Sequence, residues 1–503
     1  MASIYYNSRF GGWSMEVDTA QQSVAADGIV ATGSLEHNHS YNNGYGYGAL
    51  LAFLSYLSGQ SIQSIQLFLA GSAVIVVLAA FLVYRELLES SAIAFLAAIL
   101  LLMQPDFMFY VLRGSHESVT WTLLLLMVFL LLRGSDYRER PSRFVFFVLA
   151  FYLLCWAMVA VNVYFSSSVL SAFALALVGG WLIKKMIKNQ RVDKEGTPDV
   201  LRRLVFIVSI GWLLVFLFIT YIYEPGILYY YTFSEMVDRI GILFFGAQPL
   251  GQPISYSYYE NAWQSRVAYL SLTGLQWIFV VSSFITWLIG LRQIKSMAGK
   301  RLLLWLLYSS FGVLLVIGVV VDFAGFLNTN LQLRLFTPFV LFASPMAALL
   351  CAHLFERLCN QSRRRILLPV CAVIVAWGLL ASALKTTNDP ILGNHWFFYH
   401  DGELKAANWI EEHIQYQRIW VDTRPHLAET FHFWQGYEGL STNKYEFKKN
   451  VWSPSPYTLI TALTKLRSDR VGEILPATND KNLIYDNEEA QLFHRRPETS
   501  FQK

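Results

Sequence analysis

The sequence predicts a polytopic α-helical membrane protein, with about 10 transmembrane helices and a small C-terminal α/β domain. Of its 503 residues, 55% are hydrophobic and 16% aromatic, and the mean hydropathy is +0.40. The apolar residues fall in blocks of about twenty, the length that crosses ~30 Å of hydrocarbon as a helix. A water-soluble domain rarely has this composition, because apolar surface without a core aggregates. The net charge of +4 is too small to indicate nucleic-acid binding.

The chain divides into three predicted domains. Residues 1–61 form an extracytoplasmic catalytic loop with juxtamembrane helices, residues 62–385 form the transmembrane helical domain, and residues 386–503 form a C-terminal extracytoplasmic α/β domain. The predicted spans are residues 62–85, 90–109, 116–133, 143–163, 165–183, 203–222, 267–291, 302–322, 333–354 and 366–385.

The distribution of basic residues predicts the orientation. Lysine and arginine are concentrated in alternate connections, and the positive-inside rule places those connections in the cytoplasm. The other connections, together with the N-terminal segment, hold only Arg9, Arg113, Arg239, Arg266 and Arg334. Both termini are therefore predicted to be extracytoplasmic, in a cell or inner membrane. The N-terminal segment has no signal peptide, so either a further span precedes this sequence or the segment is exported with span 62–85.

The loop of residues 223–266 is rich in tyrosine and tryptophan, which favour the membrane interface. Two interpretations are open: an interfacial aromatic belt, or a lid over a lipid or sugar site.

The C-terminal domain shows four predicted elements. Gly402–Ile414 has the apolar periodicity of a helix, and residues 418–422 have that of a buried strand. Residues 457–466 are predicted to be helical, and residues 482–495 to form a hairpin that turns at residues 487–489. No catalytic motif is present there, so we interpret the domain as a scaffold or an acceptor-binding module.

Few charged residues lie within the predicted spans, and the exceptions lie near the extracytoplasmic boundary, where ionisable groups are costly and often functional. A transporter would instead place acidic groups near the midplane, so the pattern favours a reaction at the membrane surface. These residues are Arg113, His116, Glu117, Asp322 and Arg334.

One cluster has the composition of a metal site. Glu36, His37 and His39 could ligate a divalent metal from a loop or a strand. The alternative is an exposed polar turn. No other cofactor is indicated, and the four cysteines contain no CxxC pair, so a disulfide framework or structural zinc site is not expected.

Several segments together resemble the GT-C superfamily of membrane glycosyltransferases, in particular the branch of protein O-mannosyltransferases and lipid A aminoarabinose transferases. Order and topology carry the resemblance, since each segment alone is a weak motif. The family's usual adjacent acidic pair is here Glu16-Val17-Asp18. The segments are residues 15–29 (the first outer loop with its catalytic acid), 45–59 (an aromatic stretch and a juxtamembrane helix), 112–118 (a basic-acidic segment opening a span) and 333–338 (an Arg-aromatic-Pro segment).

The resemblance implies an inverting transfer of a sugar from a polyprenyl-phosphate donor to a protein, lipid or glycan acceptor. Asp18 is the predicted general base, and its alternative role is that of a helix N-cap. Glu16 is the second candidate for the base, or else a solvated surface acid.

The remaining candidate residues serve the donor. Arg334, Arg113 and His116 are predicted to bind the donor phosphate, although either arginine could instead snorkel to lipid head groups. Glu117 is either catalytic or paired with an arginine or His116. Tyr45 and Tyr47 are predicted to bind substrate.

Two functions stay as alternatives: a lipid or solute transporter, and a non-catalytic membrane subunit of a larger complex.

Overall fold

The computed structural model shows a helical bundle and one small sheet. The described residues are 17–35, 44–137, 141–187, 196–222, 263–294, 297, 299–323, 331–358, 361–387, 401–414, 419–420, 440–441, 456–462, 464–465 and 475–495. The helices are α1 (Val17–Thr32), α2 (Gly46–Ser58), α3 (Ile62–Ala70), α4 (Ala73–Leu88), α5 (Ser91–Leu102), α6 (Pro105–Leu112), α7 (His116–Tyr137), α8 (Pro141–Val161), α9 (Val163–Ile187), α10 (Gly196–Leu217), α11 (Trp263–Arg292), α12 (Gly299–Phe323), α13 (Leu331–Leu358), α14 (Gln361–Thr386) and α15 (Asp401–His413).

Within the described residues, nine helical segments are long and apolar enough to cross a membrane, and α5 with α6 makes a tenth if the bent pair counts as one span. The predicted fold class is therefore confirmed, and the chain is an integral membrane protein. These helices coincide with the apolar blocks of the sequence. A helix can cross the hydrocarbon because it satisfies all its backbone hydrogen bonds internally.

The predicted span over residues 90–109 is broken into two helices in the structure. Helix α5 ends at Leu102, and α6 leaves it at an angle of 79°. Pro105 lacks a backbone N–H, and it favours an extended conformation for Gln104, which has φ −92° and ψ 108°. All eight residues of α6 are buried, so this short helix packs inside the protein.

The core of the bundle joins helices that are distant in sequence. Tyr84 of α4 donates its hydroxyl hydrogen to the carbonyl of Leu341 in α13 at 2.7 Å. The rings of Phe311 in α12 and Phe342 in α13 stack with centroids 5.0 Å apart. These contacts fix α13 at the centre, where it packs against α5, α11 and α12.

The two ends of the bundle carry different polar groups. We call the end that holds α6 the α6 end. At the opposite end, the buried carboxylate of Glu86 in α4 pairs with Arg133 of α7 at 2.6 Å and with Lys300 of α12 at 3.4 Å. This network ties three helices together away from α6.

The C-terminal residues form a mixed sheet with the order β2-β1-β3-β5-β4. Helix α15 and the hairpin β4–β5 confirm two of the predicted elements, and β1 lies within the predicted strand. The predicted helix over residues 457–466 is wrong in its first part, which is strand β3 and pairs with β1 and β5, whereas residues 462, 464 and 465 are helical. The strands are β1 (Ile419–Trp420), β2 (Leu440–Ser441), β3 (Tyr457–Thr461), β4 (Lys481–Asp486) and β5 (Ala490–Arg495).

Candidate functional site

The turn between α6 and α7 holds a buried ion pair. The Arg113 guanidinium pairs with Glu117, and its Nε donates to Ser115 Oγ at 2.9 Å. Ser115 in turn donates to the second carboxylate oxygen of Glu117. The guanidinium also lies over the rings of Phe109 and Tyr110, at 5.4 and 4.8 Å. With only 4% of Arg113 exposed, both charges depend on this pairing for their compensation.

Helix α1 is anchored on this turn through Thr19. Its hydroxyl donates to the carbonyl of Arg113 at 3.0 Å. Gln66 of α3 holds the same part of α1, since its amide nitrogen donates to the Thr19 carbonyl at 3.2 Å and its oxygen accepts from Ser23 at 2.7 Å. The start of α1 is therefore fixed against the α6–α7 turn.

Helix α2 is anchored on the same turn through Tyr47, whose hydroxyl donates to the carbonyl of Gly114. Burial raises the pKa of Tyr47, so this hydroxyl keeps the proton that it donates. Gly114 has φ +68°, and a Cβ there would lie 2.8 Å from the carbonyl oxygen of Gln66. The Gly114 position therefore requires glycine.

The aromatic and glycine-rich stretch packs α2 against α8. At Gly46 a Cβ would lie 2.8 Å from both the Ala160 carbonyl carbon and the Val161 nitrogen. The Tyr45 ring stacks on Phe218 with centroids 5.5 Å apart. These contacts give the stretch a packing role, and substrate contacts of Tyr45 and Tyr47 stay predictions.

His116 lies between two side-chain amides. Its Nδ1 is 2.7 Å from Gln22 of α1, and its Nε2 is 2.6 Å from Asn162 at the α8–α9 junction. Glu117 Oε2 lies 3.4 Å from Nδ1. Both ring nitrogens are thus engaged by protein groups, and a phosphate contact of His116 stays a prediction.

A second polar feature lies where α12 ends and α13 begins. The buried carboxylate of Asp322 accepts from the backbone N–H of Leu331 at 3.1 Å and of Gln332 at 2.6 Å, which caps α13. Arg334 is exposed one turn into α13, near enough to Asp322 for a favourable charge interaction. The exposed guanidinium is therefore placed where an anion could reach it.

The start of α9 connects these two features. Asn162 contacts His116, and Tyr164 packs against the cluster of Val321, Leu331 and Leu335. Leu335 directly follows Arg334 in α13. The ion-paired turn and the Arg334 segment therefore lie at the same end of the bundle, on either side of the α9 start.

The predicted acids lie largely outside the described side chains. Asp18 belongs to the first turn of α1, which begins one residue earlier, so it lies inside the helix and not before it. Its side chain, like the whole of Glu16, lies outside the described residues. Glu36, His37 and His39 lie outside them as well, together with most of the aromatic loop, and the metal site stays a prediction. In the described part of the chain, no group of three His, Cys, Asp or Glu residues could hold a metal ion.

The amides that organise this end of the bundle were not predicted from the sequence. Gln22, Gln66 and Asn162 are all buried and hydrogen-bonded. Two of them, Gln66 and Asn162, lie near the ends of predicted spans, where an unpaired buried amide is costly, and this position is a signal in the sequence.

Solved structures of similar fold were found. ArnT from Cupriavidus metallidurans in the apo state matches with a TM-score of 0.52 and 11% identity, over 96% of this chain and 95% of that chain. The same protein bound to undecaprenyl phosphate matches with a TM-score of 0.52 and 11% identity, over 98% and 96%. The oligosaccharyltransferase AglB from Archaeoglobus fulgidus matches with a TM-score of 0.48 and 11% identity, over 84% and 62%.

No protein-family model and no curated protein sequence matches the chain. ArnT is a GT-C superfamily membrane glycosyltransferase. The resemblance to that superfamily expected from the sequence is thus confirmed at the level of the fold.

Proposed function

We propose that this protein is a membrane glycosyltransferase that moves a sugar from a polyprenyl-phosphate donor to an acceptor on the extracytoplasmic face. One observation carries the proposal: Thr19 donates to the carbonyl of Arg113. Asp18, the residue before it, therefore lies next to the α6–α7 turn, at the end of the bundle where Arg334 is exposed. An acid and an exposed guanidinium at one end of a membrane bundle suit a lipid-phosphate donor.

The proposed reaction is one displacement at the anomeric carbon. An acceptor hydroxyl or amine attacks this carbon, and the bond between the carbon and the phosphate oxygen breaks. The lipid phosphate leaves with the electron pair, while Asp18 takes the acceptor proton. Attack opposite the leaving group inverts the anomeric configuration. A positioned carboxylate base contributes about 10²- to 10⁴-fold to such a step.

The departing phosphate requires positive charge. Arg334 is exposed and can present two N–H groups to phosphate oxygens, and this geometry stabilises the charge that develops as the bond breaks. The ArnT structure of the same fold binds undecaprenyl phosphate, which supports a donor of this class. Arg113 and Glu117 compensate each other, so we assign them mainly to holding the α6–α7 turn in place.

Purified protein tests the proposal with a panel of undecaprenyl-phosphate-linked sugars, with release of undecaprenyl phosphate as the readout. Asp18→Asn should lower the rate by about 10²-fold or more. Asp27→Asn is the matched control, because Asp27 is an exposed acid near the other end of the same helix, and it should retain the parent rate. Full activity of Asp18→Asn would remove Asp18 from the mechanism. A protein that neither turns over any donor nor binds undecaprenyl phosphate in native mass spectrometry would contradict the proposed function.

A further inference from the structure

We infer that His116 is a neutral imidazole with its proton on Nδ1, which donates to Gln22 and positions helix α1 for the transfer reaction. The tautomer is inferred from hydrogen-bond geometry alone. The positioning role rests on the proposed function, because it acts through the helix that carries Asp18. His116 is thus a positioning residue, distinct from the donor-phosphate role expected from the sequence.

The orientation of the Asn162 amide decides whether His116 Nε2 carries a proton. Its side-chain oxygen accepts the backbone N–H of Phe165 at 2.7 Å. This bond turns the amide nitrogen toward His116, 2.6 Å from Nε2. An amide NH₂ is only a donor, so Nε2 must be the acceptor and carries no proton. A neutral imidazole then holds its single proton on Nδ1.

The groups around Nδ1 agree with this assignment. Glu117 Oε2, 3.4 Å away, is a carboxylate oxygen that can only accept. The Gln22 amide also lies 2.7 Å from Nδ1. When the Gln22 amide nitrogen faces the ring, the Gln22 amide oxygen is buried and has no hydrogen-bond partner. Exchanging the amide nitrogen and oxygen lets this oxygen accept from the Nδ1–H, and side-chain amides are commonly reassigned in this way.

The resulting chain of bonds runs from Phe165 through Asn162 and His116 to Gln22. Its three side chains are buried, with Gln22 at 2%, Asn162 at 5% and His116 at 6% exposure. Water therefore cannot easily replace a lost partner. Gln22 lies four residues after Asp18, one turn along α1, so residues 18 and 22 share a face of the helix. These hydrogen bonds link the α8–α9 junction to the part of α1 that carries the proposed base.

The tautomer can be read directly from ¹⁵N NMR of histidine-labelled protein in membranes. The His116 signals are those that disappear in His116→Asn. The inference expects a protonated Nδ1 and an unprotonated Nε2. In Asn162→Asp the carboxylate can still accept from Phe165 but can no longer donate, so Nε2 should become protonated. A wild-type ring with its proton on Nε2, or on both nitrogens, overturns the inference, whether or not the protein transfers sugar.

Turnover with the undecaprenyl-phosphate-linked donor tests the positioning role. Gln22→Glu keeps an acceptor for Nδ1–H, whereas Gln22→Met keeps the length and removes it. We expect Gln22→Met to lower kcat about 10-fold, with KM for the donor unchanged. Gln22→Glu should restore most of kcat. Equal kcat in both variants and the parent, or equal losses in both, would contradict the positioning role. A parent protein with neither turnover nor undecaprenyl-phosphate binding would contradict the proposed function and the positioning role with it, whereas the NMR spectrum would still decide the tautomer.

Discussion

The hydroxyl of Tyr47 donates its hydrogen to the carbonyl oxygen of Gly114, which is 67 residues later in the chain. Together with the bond from Thr19 to the Arg113 carbonyl, it fixes the N-terminal helices to a turn between two helices of the bundle. Carbonyls in such a turn have no helical partner, which makes them available as anchors. The site therefore depends on how closely α1 and α2 approach the bundle.

Gly46→Ala should destabilise the protein. Its Cβ would lie 2.8 Å from backbone atoms of Ala160 and Val161, which cannot move aside as a flexible side chain can. Overpacking of this kind costs about 1–3 kcal/mol, and we expect a lower temperature of aggregation in detergent. Gly28→Ala is the control, because a Cβ at Gly28 meets nothing within 4 Å. A Gly46→Ala protein as stable as Gly28→Ala would contradict this packing.

Glu117→Gln should destabilise the protein more than a surface substitution does, because it leaves the Arg113 guanidinium buried without its carboxylate. Breaking a buried ion pair costs about 3–5 kcal/mol. Thermal unfolding in detergent measures the loss. The double variant Arg113→Met/Glu117→Leu removes both charges and should recover part of it. If the double variant loses as much stability as the single variants Arg113→Met and Glu117→Leu lose together, the two residues are not coupled.

Glu86→Gln should lower stability, whereas Glu89→Gln should not. Both carboxylates lie near Lys300, but the Glu86 side chain is 10% exposed and that of Glu89 is 67% exposed. An exposed ion pair contributes about 0–1 kcal/mol, and a buried one costs more to break. Thermal unfolding of the two variants in detergent measures the difference in stability between them. Because Glu86 lies at the end opposite α6, KM for the donor should stay the same in both.

Arg334→Ala should weaken donor use more than acceptor use. A charge-assisted hydrogen bond to the lipid phosphate contributes about 1.5–3 kcal/mol, so KM for the donor should rise about 10-fold or more. Steady-state kinetics with each substrate varied in turn measures the difference. Arg357→Ala is the control, since Arg357 is exposed in the last turn of the same helix. An unchanged donor KM in Arg334→Ala would show that the phosphate binds elsewhere.

Most of the bundle was predictable, because a helix that crosses a membrane needs a long apolar run and the sequence contains such runs. The break before α6 was missed, although Gln104 and Pro105 interrupt the apolar residues and signal it. The strand β3 was missed for a different reason. Its residues have apolar periodicity consistent with a helix, and pairing with β1 and β5, which are distant in sequence, decides the outcome.

Only part of the site could be predicted. Arg113, His116 and Glu117 are close in sequence, and ionisable side chains at the boundary of a span predict a functional site. Their partners Gln22 and Asn162 come from other helices, 94 and 46 residues away from His116. Which distant amides meet a histidine depends on tertiary packing, and one sequence does not reveal it.

The anchoring of α1 and α2 on the α6–α7 turn has a consequence for biosynthesis. A ribosome makes these two helices before it makes the turn that holds them. Their docking must therefore wait until α6 and the start of α7 have been translated and inserted. During that interval the Tyr47 hydroxyl has to be satisfied by water or lipid head groups. The α6 end of the protein is thus completed only after this turn has been made, although α1 and α2 precede the turn in the chain.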